Sequence, residues 1–144
     1  MKLFKGLITK ETAGLDLLRL ALCAILFTHG AHRLISGEAP GLGGILADLK
    51  FPFPVTLAYL VCAAETGGSL LIALRILVAP AGAVLISIYA TGIFLFHRHH
   101  GFFVVGPGEG GWEYSALLIT CLGATMWANW RNRWLPARAA RATS

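Results

Sequence analysis

Arg19, His29, Glu65 and Glu113 are ionisable residues set within, or at the edge of, long apolar runs. A charge held in hydrocarbon costs roughly 2.5–3.5 kcal/mol even on lenient insertion scales. Such residues persist where they pair, line a polar cavity or carry chemistry. Glu65, His29 and Glu113 could take up and release protons, and Arg19 could hold an anionic or carbonyl group. With a rise of ~1.5 Å per helical residue, Glu65 lies ~16 Å below the outer end of its run, His29 ~9 Å down and Arg19 ~24 Å down. Arg19 and His29 therefore bracket Glu65. Two readings stand: an Arg19–Glu65 pair fixes helix register, or Glu65 handles protons or a polar headgroup.

The elements that position these residues are membrane spans. The chain is 56% hydrophobic and only 13% charged, with a mean hydropathy of +0.69, whereas soluble domains carry about 25% charged residues. Spanning a bilayer takes ~20 apolar residues, and the candidate spans are about 14–35, 55–74, 76–97 and 112–131. Backbone groups in lipid must be bonded within a segment, and no span alternates like a membrane β-strand. The expected fold is all-α: one membrane domain over 1–144, a four-helix bundle. Residues 1–12 should form an interfacial segment and 132–144 a basic tail.

The net charge of +5 does not point to nucleic acid. The basic residues gather at the ends, where anionic lipid headgroups meet them. Lys2, Lys5, Lys10, Arg75 and the C-terminal arginines outweigh Arg33, Lys50 and Arg98 on the other side, so both termini should be cytoplasmic. The charges at Glu11, Asp16 and Arg19 break a signal-peptide pattern, so the first run reads as a retained helix. Cys23, Cys62 and Cys121 fall in separate spans without a C-x-x-C pair and read as small buried hydrophobes. Leu42, Ile45, Leu46 and Leu49 have helical spacing, which predicts a short helix on the outer face. The short turn at Arg75 makes its flanking spans antiparallel neighbours.

Three stripes should face one another. The first holds Asp16, Arg19, Cys23, Leu26, Gly30 and Arg33, with His29 at its edge. The second holds Ala58, Cys62, Glu65, Ser69 and Ile72, and the third Glu113, Leu117, Thr120, Ala124 and Trp127. Gly67 and Gly68 offer a close helix approach beside Glu65. Segment 98–112 is rich in glycine but carries Phe102, Phe103 and Val104, and so predicts a flap over the bundle mouth. Phe102, Phe103, Trp112 and Tyr114 would wall a flat ring there, or would form an interfacial aromatic belt. All five histidines map to the outer half, and His97 and His29 form the pair carried by helices. A Cu or Zn site at His97, His99 and His100 is chemically open but would need a further ligand from elsewhere.

The ordered set GLDLLRLALCAILFTHGAHRL, GLGGILADLKFPFP, AAETGGSLLIALRI, FHRHHGFF and GGWEYSALL resembles the DoxX family of small four-helix membrane proteins, over about 14–128. The resemblance implies a redox setting in a bacterial-type inner membrane, since a relative is the large subunit of a thiosulfate:quinone oxidoreductase. It marks Arg19, His29, Glu65, Glu113 and Tyr114 as family-type polar residues. His99 and His100 depart from the less basic sequence of many relatives.

Three functions follow. The first is a quinone-linked redox subunit, with Glu65, His29 and Glu113 exchanging protons and Arg19, Tyr114, His97, Phe102, Phe103 and Trp112 contacting the ring. Electrons would come from a partner protein, because the sequence has no haem, flavin or Fe–S motif. The second is a non-catalytic membrane scaffold, and the third is metal handling by the outer histidines. Self-association is compatible with each.

Overall fold

The computed structural model describes residues 13–105 and 110–130, and contains no strand among them. The expected interfacial segment 1–12 and basic tail 132–144 lie outside the described residues. The helices are α1 (Ala13–Ile35), α2 (Ala39–Asp48), α3 (Pro54–Ala73), α4 (Val78–Leu95) and α5 (Glu113–Trp130), with a 3₁₀ turn at His97–His100. The apolar runs thus become helices close to their expected bounds, and α2 is the short helix expected in the first outer loop. Helices α1, α3 and α4 are long and apolar enough to cross a membrane. Helix α5 has 18 residues, but Glu113, Asn129 and its aromatic ends dilute its apolar character.

Helix α3 packs against α1, α2 and α4, while α5 closes against α4 and α1. Leu22, Leu26, Ile72, Leu85, Leu118 and Leu122 meet in the middle of this arrangement. Outward-facing Leu17, Leu60, Leu70 and Phe94 remain exposed, as expected of side chains that meet lipid.

The turns follow from local backbone chemistry. Helix α1 ends on Gly37, whose positive φ of 75° lets Glu38 N–H return to the Arg33 carbonyl at 3.1 Å, a Schellman closure. Helix α3 ends the same way, with Ile76 N–H on the Leu71 carbonyl at 2.8 Å and Arg75 N–H on the Ile72 carbonyl at 3.0 Å. Here the left-handed position is Arg75, with φ 60°, where glycine would be easier. The Arg75 side chain explains the choice, because it reaches the carboxylate of Asp16.

The buried faces of α1 and α3 match the expected stripes: Asp16, Arg19, Cys23, Leu26 and Gly30 on one helix, and Ala58, Cys62, Glu65, Ser69 and Ile72 on the other. Helix α5 is turned away from its expected face. It buries Ser115, Leu118, Leu122 and Thr125, while Leu117 is 58% and Trp127 85% exposed. The expected face was anchored on Glu113, whose carboxylate serves the preceding loop instead, and the rest of α5 is too evenly apolar to mark a face.

The close helix approach also lies elsewhere. A Cβ on Gly67 would meet nothing within 4 Å, and one on Gly68 only the Leu85 side chain at 3.5 Å. At Gly30 it would come within 2.8 Å of the Cys62 carbonyl oxygen and 2.7 Å of Thr66 Oγ1. The glycine that lets α1 touch α3 is therefore on α1.

Candidate functional site

Two polar groupings sit at opposite ends of the apolar core. At the end where α1 begins and α3 stops, Asp16 and Arg19 are buried one helical turn apart. Helix C-termini leave carbonyls without intrahelical partners and favour a cation. The Arg19 guanidinium donates to the carbonyls of Ile72, at 3.2 Å, and Ala73. It also lies 3.4 Å from Asp16 Oδ1, the oxygen that Arg75 bonds. Arg19 is thus a cross-helix cap for α3. The expected Arg19–Glu65 pair does not form, because the guanidinium is taken up at the helix end, about 12 Å along α3 from Glu65 at ~1.5 Å per residue.

Glu65 belongs to the other grouping. Its side chain is 2% exposed. The Tyr89 hydroxyl on α4 donates to Oε1 at 3.0 Å, and Arg33 Nη1 on α1 stands 3.8 Å from Oε2. Among the described residues Oε2 accepts no hydrogen bond. The carboxylate faces a cavity of about 490 Å³, lined by residues of α1 to α5 and of the segment after α4. Leu26, Leu46, Phe51, Leu57, Ile88 and Leu118 give it apolar walls, and His29, Arg33, Tyr89, His97 and Tyr114 give it polar groups. Ligand sites of this kind, mostly apolar with a few placed polar groups, measure ~300–1,000 Å³.

The expected site residues divide on this geometry. Glu65, His29, His97 and Tyr114 come together around the cavity, His29 from an otherwise exposed position. Arg19 is remote from it. Glu113 accepts from Val104 N–H at 2.9 Å and so fastens the segment before α5. That segment doubles back: Gly111 N–H meets the Phe103 carbonyl at 3.0 Å and Glu113 N–H the Phe102 carbonyl at 2.9 Å. Its backbone brings Val104, Gly110 and Gly111 to the cavity. Of the four rings expected to wall a ligand, Tyr114 does so and the other three do not. Phe102 packs edge-on to Phe103 and Trp112, at 5.4 and 4.8 Å, and none of the three lines the cavity.

The histidines that follow α4 are engaged separately. His97 Nδ1 lies 2.7 Å from the Gly110 carbonyl, His100 Nδ1 lies 3.0 Å from the Phe96 carbonyl, and Arg98 Nε donates to His99 Nε2 at 3.1 Å. No three His, Cys, Asp or Glu side chains among the described residues form a metal-holding group. His97, His99 and His100 thus point to separate partners.

Two members of the cavity grouping stand outside the expected site residues. Arg33 is on the α1 stripe expected to face the bundle, but not as the partner of Glu65. Tyr89 is a lone phenol in the most apolar run, and a polar group there needs a partner, which was the available signal. The DoxX family model matches residues 14–98. The chain belongs to the DoxX family. The matched region of this DoxX protein holds Arg33, Glu65, Tyr89 and His97, while Tyr114 and α5 fall beyond it. No curated protein and no solved structure gives a match.

Proposed function

We propose that this DoxX-family membrane protein binds a quinone-type ring in the Glu65 cavity and takes part in redox chemistry with a partner protein that supplies the electrons. One observation carries the reading: a fully buried carboxylate presents an unbonded oxygen to a cavity that is otherwise mostly apolar. The residues present suit such a ring, with aliphatic walls for its faces and Glu65, Arg33, Tyr89 and His29 for its oxygens. A bound quinone would supply electron and proton uptake at those oxygens. Glu65 would hold or release a proton, Arg33 and Tyr89 would hold its carboxylate in place, and His29 would pass protons at the more exposed side. We further propose that α5 is the fourth span, that both termini are cytoplasmic and that the membrane is the bacterial inner one. The basic residues support this orientation.

The test is extraction of the protein in mild detergent and mass spectrometry of its bound lipids. A quinone at near one per chain is expected, and it should be reduced several-fold in Glu65→Gln. Absence of bound quinone, together with no binding of an added short-chain analogue, would sink the reading. A second reading, a non-catalytic scaffold, is favoured by the Asp16–Arg19–Arg75 grouping, which joins helix ends and touches no part of the Glu65 cavity. It would be abandoned if quinone reduction by a copurifying partner vanished in Glu65→Gln.

A further inference from the structure

The helices do not close the Glu65 cavity evenly. On α3, Leu57, Val61 and Gly68 recur at helical spacing and share one flank. On α4, Leu85, Ile88, Thr91 and Leu95 do the same. The two flanks meet at the Gly68 end, where the Leu85 side chain lies 3.5 Å from the place of an added Cβ. Further along they part, and Leu57, Val61, Ile88, Thr91 and Leu95 all line the cavity. The cavity runs on to Ser87, one turn from Thr91. Both residues are exposed, and α4 is long and apolar enough to cross a membrane. Exposed positions on such a helix meet lipid, so the cavity reaches the bilayer here. Ser87 Oγ donates to the Val84 carbonyl at 2.7 Å, so its hydroxyl is satisfied within α4 and suits a lipid-facing edge. Leu42 and Leu46 of α2 wall the cavity at the end nearest the loops.

We infer that the seam between α3 and α4 is a lateral opening to the bilayer, and that the cavity takes a ring bearing a long apolar chain, which leaves through that opening. The ring lies beside Glu65, and the chain runs out between Val61 and Thr91 into lipid. The inference rests on the quinone reading above for the ring. It adds the class of molecule, a membrane-borne lipid in place of a water-soluble ring, and its route. Neither depends on whether Glu65 carries its proton. The rival route runs between α1 and α5, where His29 and Tyr114 also line the cavity and are exposed. Their polar tips suit water or headgroups. Val61, Ile88 and Leu95 suit a hydrocarbon chain, which has no hydrogen bonds to make.

The experiment places wild-type protein in lipid nanodiscs with a decyl-chain benzoquinone that carries a photoreactive diazirine near the ring end of its chain. After irradiation, peptide mapping should find most of the label on α3 around Val61 and on α4 around Thr91. In Thr91→Trp, where a bulky ring fills the opening, binding of the decyl analogue should fall about ten-fold or more. A methyl-substituted benzoquinone has no chain to pass and should keep its affinity within about three-fold. Leu60→Trp, at an exposed position outside the cavity, should change neither. Label concentrated on α1 and α5 around His29 and Tyr114, or undiminished decyl binding in Thr91→Trp, overturns this inference and leaves the quinone reading standing. Binding of neither benzoquinone to wild type overturns both. The label on the wild-type chain decides the matter even if a variant fails to fold.

Discussion

Asp16 holds two guanidiniums, those of Arg19 and Arg75, on one carboxylate oxygen. Removing one member of a buried charge group costs far more than the group contributes, because the remainder is stranded. Asp16→Asn leaves two cations facing each other and is expected to lower stability by about 3–5 kcal/mol. Arg75→Gln, at a side chain one-quarter exposed, should cost only about 1 kcal/mol. Thermal melting in detergent would compare them, and equal melting of Asp16→Asn and wild type would show the grouping to be idle. The burial of Arg19 and Glu65 was legible in their spacing, but the partner of Arg19 was not. Its acceptors are backbone carbonyls, which every residue carries, so only the end of α3 in space singles out those of Ile72 and Ala73. Arg33 was legible as the last member of the α1 stripe but not as the partner of Glu65, because only the reach of its long side chain brings it to that carboxylate.

Helix α1 meets α3 through Gly30, where an added methyl would strike the Cys62 carbonyl. Backbone cannot step aside as a flexible side chain can. Gly30→Ala should therefore cost about 1–3 kcal/mol by overpacking, whereas Gly67→Ala, in open space, should be neutral or slightly stabilising. Parallel melting curves of the two variants check this, and a reversed order would refute the assignment of the contact. The sequence fell short here because a helix contact depends on both partners, and the glycine pair on α3 looked the better candidate on its own. Helix α5 shows the same limit. With apolar residues all round, it has no periodic signal to orient it, and its one strong landmark, Glu113, bonds to Val104 instead of facing the bundle.

At the scale of the molecule, the helix order and the apolar runs were readable because hydropathy and length act on each segment independently. The cavity was not, since it is assembled from all five helices. An even number of crossings would put both ends of the chain on one side. Reporter fusions after Trp130 and within the loop following α2 should therefore report opposite sides, the first cytoplasmic. The same side for both would refute α5 as a span.

The cap on α3 also bears on how the chain is made. Arg19 finds its first acceptor 53 residues further along, and Asp16 meets Arg75 59 residues on. While the first helix is being delivered to the bilayer, Asp16, on the same helix, already shares the charge of Arg19. The first helix therefore enters as a provisional ion pair, and its lasting partners arrive when the third helix emerges from the ribosome.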